Sequence, residues 1–249
     1  MKVNHEKKIL EILQARDYAS VDELAAATSV STSTVRRVLD GLENRKLITR
    51  THGGAKINKE NNVSPSFTFR IHQNSFEKKK MALAAIKLIK NGDIIFLDGS
   101  TSAFYIAEYL NEFKDIRVIT NGIDTLSLLS KNNVIAYSTG GQVSSVNPSV
   151  LVGRYAEDTL HNFYADVAFF SAQAMDFNGE IYDCFEQENF FRRSMIQNAK
   201  TKVFLCDSTK IGKASPFHLC SLKNVDCIVS NTSLSSVRCI DSVQQIITE

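Results

Sequence analysis

Six short apolar runs, Ile94–Leu97, Val118–Thr120, Val134–Ser138, Val167–Phe170, Val203–Cys206 and Cys227–Ser230, punctuate the later two thirds of this chain. Helix-patterned segments lie between them, near 102–111, 123–131, 156–163 and 189–200. A parallel strand pair needs a long crossover, and a helix supplies it, so this alternation predicts an α/β fold with a mostly parallel sheet covered on both faces. Ligands of such sheets bind beyond the carboxyl ends of the strands. The residues just after each run therefore matter most.

Those residues are small and polar. Asp98-Gly99-Ser100-Thr101-Ser102 follows the first run, Asn121-Gly122 the second, Thr139-Gly140-Gly141-Gln142 the third and Asp207-Ser208-Thr209-Lys210 the fifth. A Gly/Ser/Thr turn that opens a helix offers backbone N–H groups, hydroxyl donors and the positive end of the helix dipole, which suit a phosphate. Lys210 adds a positive charge, while Asp98, Asn121 and Asp207 can accept hydrogen bonds from sugar hydroxyls. The candidate ligand site is thus Asp98, Gly99, Ser100, Thr101, Ser102, Asn121, Gly140, Gly141, Asp207 and Lys210. One such loop is an ordinary helix cap; several at one sheet edge single out a site.

The first sixty residues read differently. Ile9, Leu10, Ile12 and Leu13 make residues 5–15 an amphipathic helix. Ser20 with Glu23 three residues later forms a capping box and opens a short second helix. Ser31 then caps a third, from Thr32 to about Arg45, whose Val35, Leu39 and Leu42 make a buried stripe. Helix, short helix, turn, helix is the helix-turn-helix plan. Ser31, Thr32, Ser33, Thr34, Arg36 and Arg37 sit at the start of the third helix, where this motif meets base edges. Arginine there suits guanine or phosphate. Leu47 to Ile57 reads as two short strands joined at Gly53-Gly54, and its Arg50, His52 and Lys56 make a basic wing suited to DNA phosphates.

Charge agrees. Residues 1–80 hold 15 Lys and Arg against 9 Asp and Glu, a net +6, whereas residues 81–249 hold 14 against 18, a net −4. A basic head on an acidic body suggests a polyanion at the head. We expect three segments: a DNA-binding head over 1–57, a polar linker over 58–75 and a ligand-sensing domain over 76–249. In the helix that opens at Glu77, the run Lys78–Lys80 is expected to be a solvated face. No apolar run reaches the roughly 20 residues a bilayer span needs, and the charged start is no signal peptide, so a cytoplasmic protein is expected. The five cysteines, Cys184, Cys206, Cys220, Cys227 and Cys239, include no CxxC and read as reduced thiols. No metal site and no cofactor are expected.

The stretch VDELAAATSVSTSTVRRVLDGLENRKLITRTHGGA resembles the signature of the DeoR family of transcription regulators, departing from it at Val38 and Lys46. GDIIFLDGSTS, VITNG, GGQV, LVGRYA, DVAFF, ENFFRRSM and DSTKIG resemble its sensor domain, which is similar to ribose-5-phosphate isomerase. Ser100, Ser171 and Ala174 replace usual glycines, and side chains there would reshape the pocket. The resemblance implies a winged helix-turn-helix regulator of carbohydrate genes, a repressor released by a phosphorylated sugar. It also implies operator DNA as partner and a homo-oligomer, dimer or tetramer, on a two-fold operator. The competing reading is a sugar-phosphate isomerase or deaminase with a DNA-binding appendage, using Asp98, Asp207, Glu188 and Lys210 as acid/base groups. Against it, no carboxylate pairs with a His or a second carboxylate at a catalytic spacing.

Overall fold

The structure, a computed structural model, describes residues 2–16, 18–44, 47–57 and 67–248. The chain divides into two compact units, Met1–Pro65 and Ser66–Glu249.

The first unit comprises α1 (Lys2–Arg16), β1 (Tyr18–Ser20), α2 (Val21–Thr28), α3 (Thr32–Asn44), β2 (Ile48–Thr51) and β3 (Gly54–Ile57). Its core takes in most of the set the periodicity marks, Ile9, Leu10 and Leu13 of α1, Leu24 of α2, and Val35, Leu39 and Leu42 of α3, with Ile12 half-buried, and adds Ala19, Ile48 and Ala55 from the strands. The capping box at α2 forms as expected. The Ser20 hydroxyl accepts from the Glu23 N–H, and the Glu23 carboxylate accepts from the Ser20 N–H at 2.7 Å. Ser29 then ends α2 in the left-handed region, and its N–H reaches the Ala25 carbonyl. The wing pairs β2 with β3, Thr49 opposite Lys56. A third strand, β1, joins β3 on its other side. Three residues between two helices carry no alternating pattern, so the sequence gives no sign of β1. Gly54 allows this addition, since a Cβ there would lie 2.5 Å from the Ala19 carbonyl oxygen.

The second unit opens with α4 (Phe67–His72) and α5 (Ser75–Ala85). Of the stretch expected to be linker, residues 58–66 lie outside the described residues, and Phe67–His72 is a helix. Then come β4 (Ile94–Leu97), α6 (Thr101–Ala107), β5 (Arg117–Thr120), α7 (Ile123–Lys131) and β6 (Ile135–Ser138). A hairpin, β7 (Gln142–Val143) and β8 (Leu151–Val152), leads to α8 (Arg154–Leu160) and β9 (Ala165–Phe170). The remainder is β10 (Ala174–Met175), β11 (Glu180–Asp183), α9 (Glu186–Gln197), β12 (Ala199–Leu205), β13 (Phe217–Ser221), β14 (Cys227–Ser230) and β15 (Gln244–Ile247).

Seven strands form one sheet in the order β15-β14-β12-β9-β4-β5-β6, and every pairing is parallel. The expected α/β class and its six strands are present; β15 adds an edge. Alternate side chains feed two cores. Phe96, Phe170, Phe204 and Ile228 meet Leu160, Phe191 and Met195 on one face. Ile95, Leu97, Phe169 and Leu205 meet Met81, Ile106 and Leu110 on the other. Each buried Phe contributes about 1.5–3 kcal/mol. The chain runs from β4 outward to β6, then returns to β9 on the other flank of β4. The strand order thus reverses between β4 and β9, and the carboxyl ends of these strands are where sheets of this kind take their ligands.

Lys78 corrects an expectation. It is 5% exposed, and its ammonium donates to the Arg70 and Gln73 carbonyls rather than lying on a solvated face. Among the described residues no helix is long and apolar enough to cross a membrane, and no group of His, Cys, Asp or Glu could hold a metal ion. All five cysteines are free thiols.

Candidate functional site

At the start of α3 the Ser31 hydroxyl accepts from the Thr34 N–H at 3.3 Å and lies 2.9 Å from Ser33 Oγ and 3.0 Å from Thr34 Oγ1. This small hydroxyl cluster caps the helix and leaves no bulk at its tip. Ser31, Ser33, Arg36 and Arg37 are exposed, and Thr32 and Thr34 are half-buried. The buried stripe of Val35, Leu39 and Leu42 points the other way, which is why both arginines face out. His52 and Lys56 are exposed on the wing. Arg50 is placed differently: its guanidinium pairs with Asp40 of α3, and its N–H donates to Glu43 Oε1 at 2.9 Å. Arg50 therefore braces the wing against α3.

In the second unit the loops after β4 and β5 meet. A Cβ on Gly122 would sit 3.1 Å from Gly99 Cα, and one on Gly99 would sit 2.2 Å from Val150 Cγ1 and 3.4 Å from Asn121 Oδ1. Backbone this close needs glycine at both positions. The 142–152 hairpin is laced to the second loop: Leu151 N–H donates to the Asn121 carbonyl at 2.8 Å, and Asn121 Nδ2 donates to the Leu151 carbonyl at 2.9 Å. Ser100 caps α6, accepting from the Ala103 N–H. Three buried polar atoms here, Ser102 Oγ, Asn121 Oδ1 and Thr125 Oγ1, have no partner. Such atoms cost roughly 1–3 kcal/mol each unless something satisfies them.

Asp98 and Asp207 are engaged rather than open to a ligand. Asp98 accepts from the Ser100 N–H (3.1 Å), the Ser171 N–H (3.2 Å) and Arg192 Nε (2.8 Å). Arg192 goes on to Asp183 at 3.1 Å and Glu188 at 3.0 Å, and Glu188 accepts from Asn147 at 2.9 Å. Burial alone would lower the Arg192 pKa, but Asp183, Asp98 and Glu188 override it and raise it, so the guanidinium stays charged. This buried network, from α9 through β4 to the 142–152 hairpin, escapes a reading of strand ends. Its only local signal is the four-residue spacing of Glu188 and Arg192.

Lys210 joins the same chain of contacts. Its Nζ donates to Ser171 Oγ at 2.5 Å and lies 3.8 Å from Asp207 Oδ2. Burial works to raise the Asp207 pKa, yet Lys210 and the Thr209 hydrogen bonds hold it below the usual carboxylate range. Ser171, at a position where the resembled pattern has glycine, is thus the hydroxyl that anchors Lys210. Gly140 and Gly141 are less closely joined. Both have positive φ, and Gly141 packs on Val152 and Ala156. The structure therefore brings Asp98, Gly99, Ser100, Thr101, Ser102, Asn121, Asp207 and Lys210 to one sheet end, with the two glycines at its margin.

A winged helix-turn-helix unit followed by a parallel α/β unit with polar loops at its strand ends is the build of a transcription regulator. The sequence agrees: residues 6–61 match the DeoR-like helix-turn-helix domain, and residues 73–232 match the DeoR C terminal sensor domain. The chain belongs to the DeoR family. It is 32% identical over 239 residues to the HTH-type transcriptional regulator YulB of Bacillus subtilis, covering 95% of this chain and 92% of that one. It is 34% identical over 227 residues to the L-fucose operon activator of Haemophilus influenzae, covering 91% and 90%. A ribose 5-phosphate isomerase from Methanocaldococcus jannaschii overlaps 56% of this chain and 55% of its own, at 18% identity and a TM-score of 0.43. The protein is a DNA-binding transcription regulator, and its relatives are regulators of the same build.

Proposed function

We propose that this regulator represses a carbohydrate-utilisation operon and releases it when a phosphorylated sugar occupies the crevice at the strand ends. On this reading Ser31, Thr32, Ser33, Thr34, Arg36 and Arg37 meet the operator, with His52 and Lys56 on the flanking phosphates and Arg50 bracing the wing. The phosphate lies toward Lys210 and the Gly99–Ser102 loop, and sugar hydroxyls lie toward Asn121 and Ser102. One observation carries the effector half: Asn121 Oδ1 is buried without a partner close to Gly99, and so is Ser102 Oγ in the first turn of α6. Asp98 and Glu188 favour a binder over an isomerase, because Arg192 holds both in ion pairs. The protein acts in the cytoplasm as a homo-oligomer, dimer or tetramer, on a two-fold operator.

A thermal-shift screen against pentose, hexose and triol phosphates tests this, each beside its unphosphorylated counterpart. One phosphorylated compound should raise the melting temperature by mass action and lower operator affinity, and its counterpart should do neither. Lys210→Ala should blunt the response and leave operator affinity intact. A screen in which no phosphorylated sugar alters either property would sink the effector assignment.

A further inference from the structure

We propose that Thr125 is a specificity-determining residue of the ligand site at the strand ends: its buried hydroxyl and the Asn121 side-chain oxygen together receive one hydroxyl group of the ligand beneath the hairpin over residues 142–152. This rests on the reading of that site as the effector site.

Thr125 lies in the first turn of α7 and is 0% exposed, yet its Oγ1 has no hydrogen-bond partner. A helical threonine commonly donates back to the carbonyl four residues earlier. Two others in this chain do so: Thr28 Oγ1 donates to the Leu24 carbonyl, and Thr159 Oγ1 donates to the Tyr155 carbonyl at 2.8 Å. For Thr125 that carbonyl belongs to Asn121, and it accepts instead from the Leu151 N–H of the hairpin at 2.8 Å. The Thr125 hydroxyl lies against the β5 loop, since a Cβ on Gly122 would sit 2.9 Å from its Oγ1 and 3.1 Å from Gly99 Cα. Asn121 Oδ1 borders the same contact, 3.4 Å from where a Cβ on Gly99 would sit, and it too is buried without a partner. Gly122, the N-cap of α7, gives the first turn no side-chain hydrogen bond.

A buried hydroxyl and a buried amide oxygen left unpaired both cost free energy, and valine would fill the place of Thr125 without that cost. The two atoms are complementary: an amide oxygen only accepts, and a threonine hydroxyl can donate. A ligand hydroxyl satisfies both, donating its proton to Asn121 Oδ1 and accepting from Thr125 Oγ1. A methylene in its place satisfies neither, so the pair selects for a hydroxyl at one carbon of the ligand. The hairpin governs access. Gly140 and Gly141 precede it and Gly153 follows it, all at positive φ, and glycine moves among backbone conformations with little steric hindrance. Its Val150 covers Gly99, and its Ser149 carbonyl accepts from the Ile123 N–H of α7 at 2.9 Å. The ligand enters with the hairpin lifted and is shut from water when it returns.

Ribose 5-phosphate, glucose 6-phosphate and glycerol 3-phosphate are the probes, a pentose, a hexose and a triol phosphate. Each is titrated calorimetrically into the full chain, followed by the monodeoxy derivatives of any that binds. Wild type should bind one derivative at least about tenfold more weakly than its parent, whereas Thr125→Val should separate the two by at most about threefold. Thr125→Ser keeps the hydroxyl and should keep the wild-type preference. Without ligand, Thr125→Val should melt no lower than wild type, because the hydroxyl it removes is unpaired. Thr125→Ala, titrated in the same way, keeps the test decisive if the Val variant does not fold. A wild-type preference that survives in the Val or Ala variant overturns the proposal. So does a ligand-free Val variant that melts several degrees lower, since the hydroxyl would then serve the fold. The two readings fail separately. If a probe binds and Lys210→Ala blunts the response while Thr125→Val keeps the preference, the effector reading stands and the role of Thr125 falls. If none of the three probes binds wild type, both fall.

Discussion

Replacing Arg192 by Met would leave Asp98, Asp183 and Glu188 around an apolar side chain inside the second unit. Arg192 is 3% exposed, so water cannot take over its role. Removing one partner of a buried ion network typically costs about 3–5 kcal/mol, since the remaining charges stay unpaired. We expect a loss of that order in urea unfolding of the second unit, and a loss below about 1 kcal/mol would mean the network relaxes. The cysteines give an independent check on burial. Burial, then Asp183, pushes Cys184 up to about 12; burial, opposed by Lys210, pushes Cys206 up to about 12; and burial, then Glu180, does the same at Cys220. Thiolate is the reactive form. At about pH 8 the native protein should therefore alkylate at exposed Cys239, with those three modified only on unfolding, as peptide mapping would reveal. At this scale the sequence was partly legible. Arg36 and Arg37 could be read as outward-facing because the stripe that opposes them is local. Arg192 could not, because Asp98 lies 94 residues away and only the fold brings it near.

Helices and central strands were legible because their signals lie within a few residues. Ile94–Leu97 and Cys227–Ser230 are strands over the runs that the apolar pattern marks. β15, with sequence QQII, is an edge strand half made of glutamine, and β10, β11 and β13 pair antiparallel in a small separate sheet. None of these has to be apolar along its length, so none shows as a run. Two substitutions probe elements directly. Ser20→Ala removes the acceptor that caps α2 and should cost the first unit about 1 kcal/mol, read as a lower melting temperature. Gly99→Ala drives a methyl into Val150 Cγ1, which forces the hairpin over residues 142–152 away from the β4 loop. It should weaken effector binding at least about tenfold with operator affinity unchanged. Unaltered effector affinity would mean that this close approach does not shape the site.

At the level of the whole chain, the proposed reading makes DNA affinity and effector response separable in their chemistry and joined in their thermodynamics. The head should bind with a steep salt dependence, because each phosphate contact releases counterions. Arg36→Ala and Arg37→Ala discriminate between two kinds of contact. Loss of a phosphate contact should lower the log–log salt slope by about one, whereas loss of a base contact should cost roughly 1–3 kcal/mol and relax sequence preference. The two functions meet in a single coupling free energy. If the effector weakens operator binding by some factor, operator DNA must weaken effector binding by the same factor, whatever path joins the two units. We expect a factor of about 5–150, the range of typical allosteric couplings. Effector titrations with and without saturating operator, beside operator titrations with and without saturating effector, measure both sides of that cycle. Unequal factors would mean that a further species binds in one arm, for instance a change of oligomer. Equal factors near one would mean that the crevice and the DNA-binding face do not communicate, even if each binds as proposed.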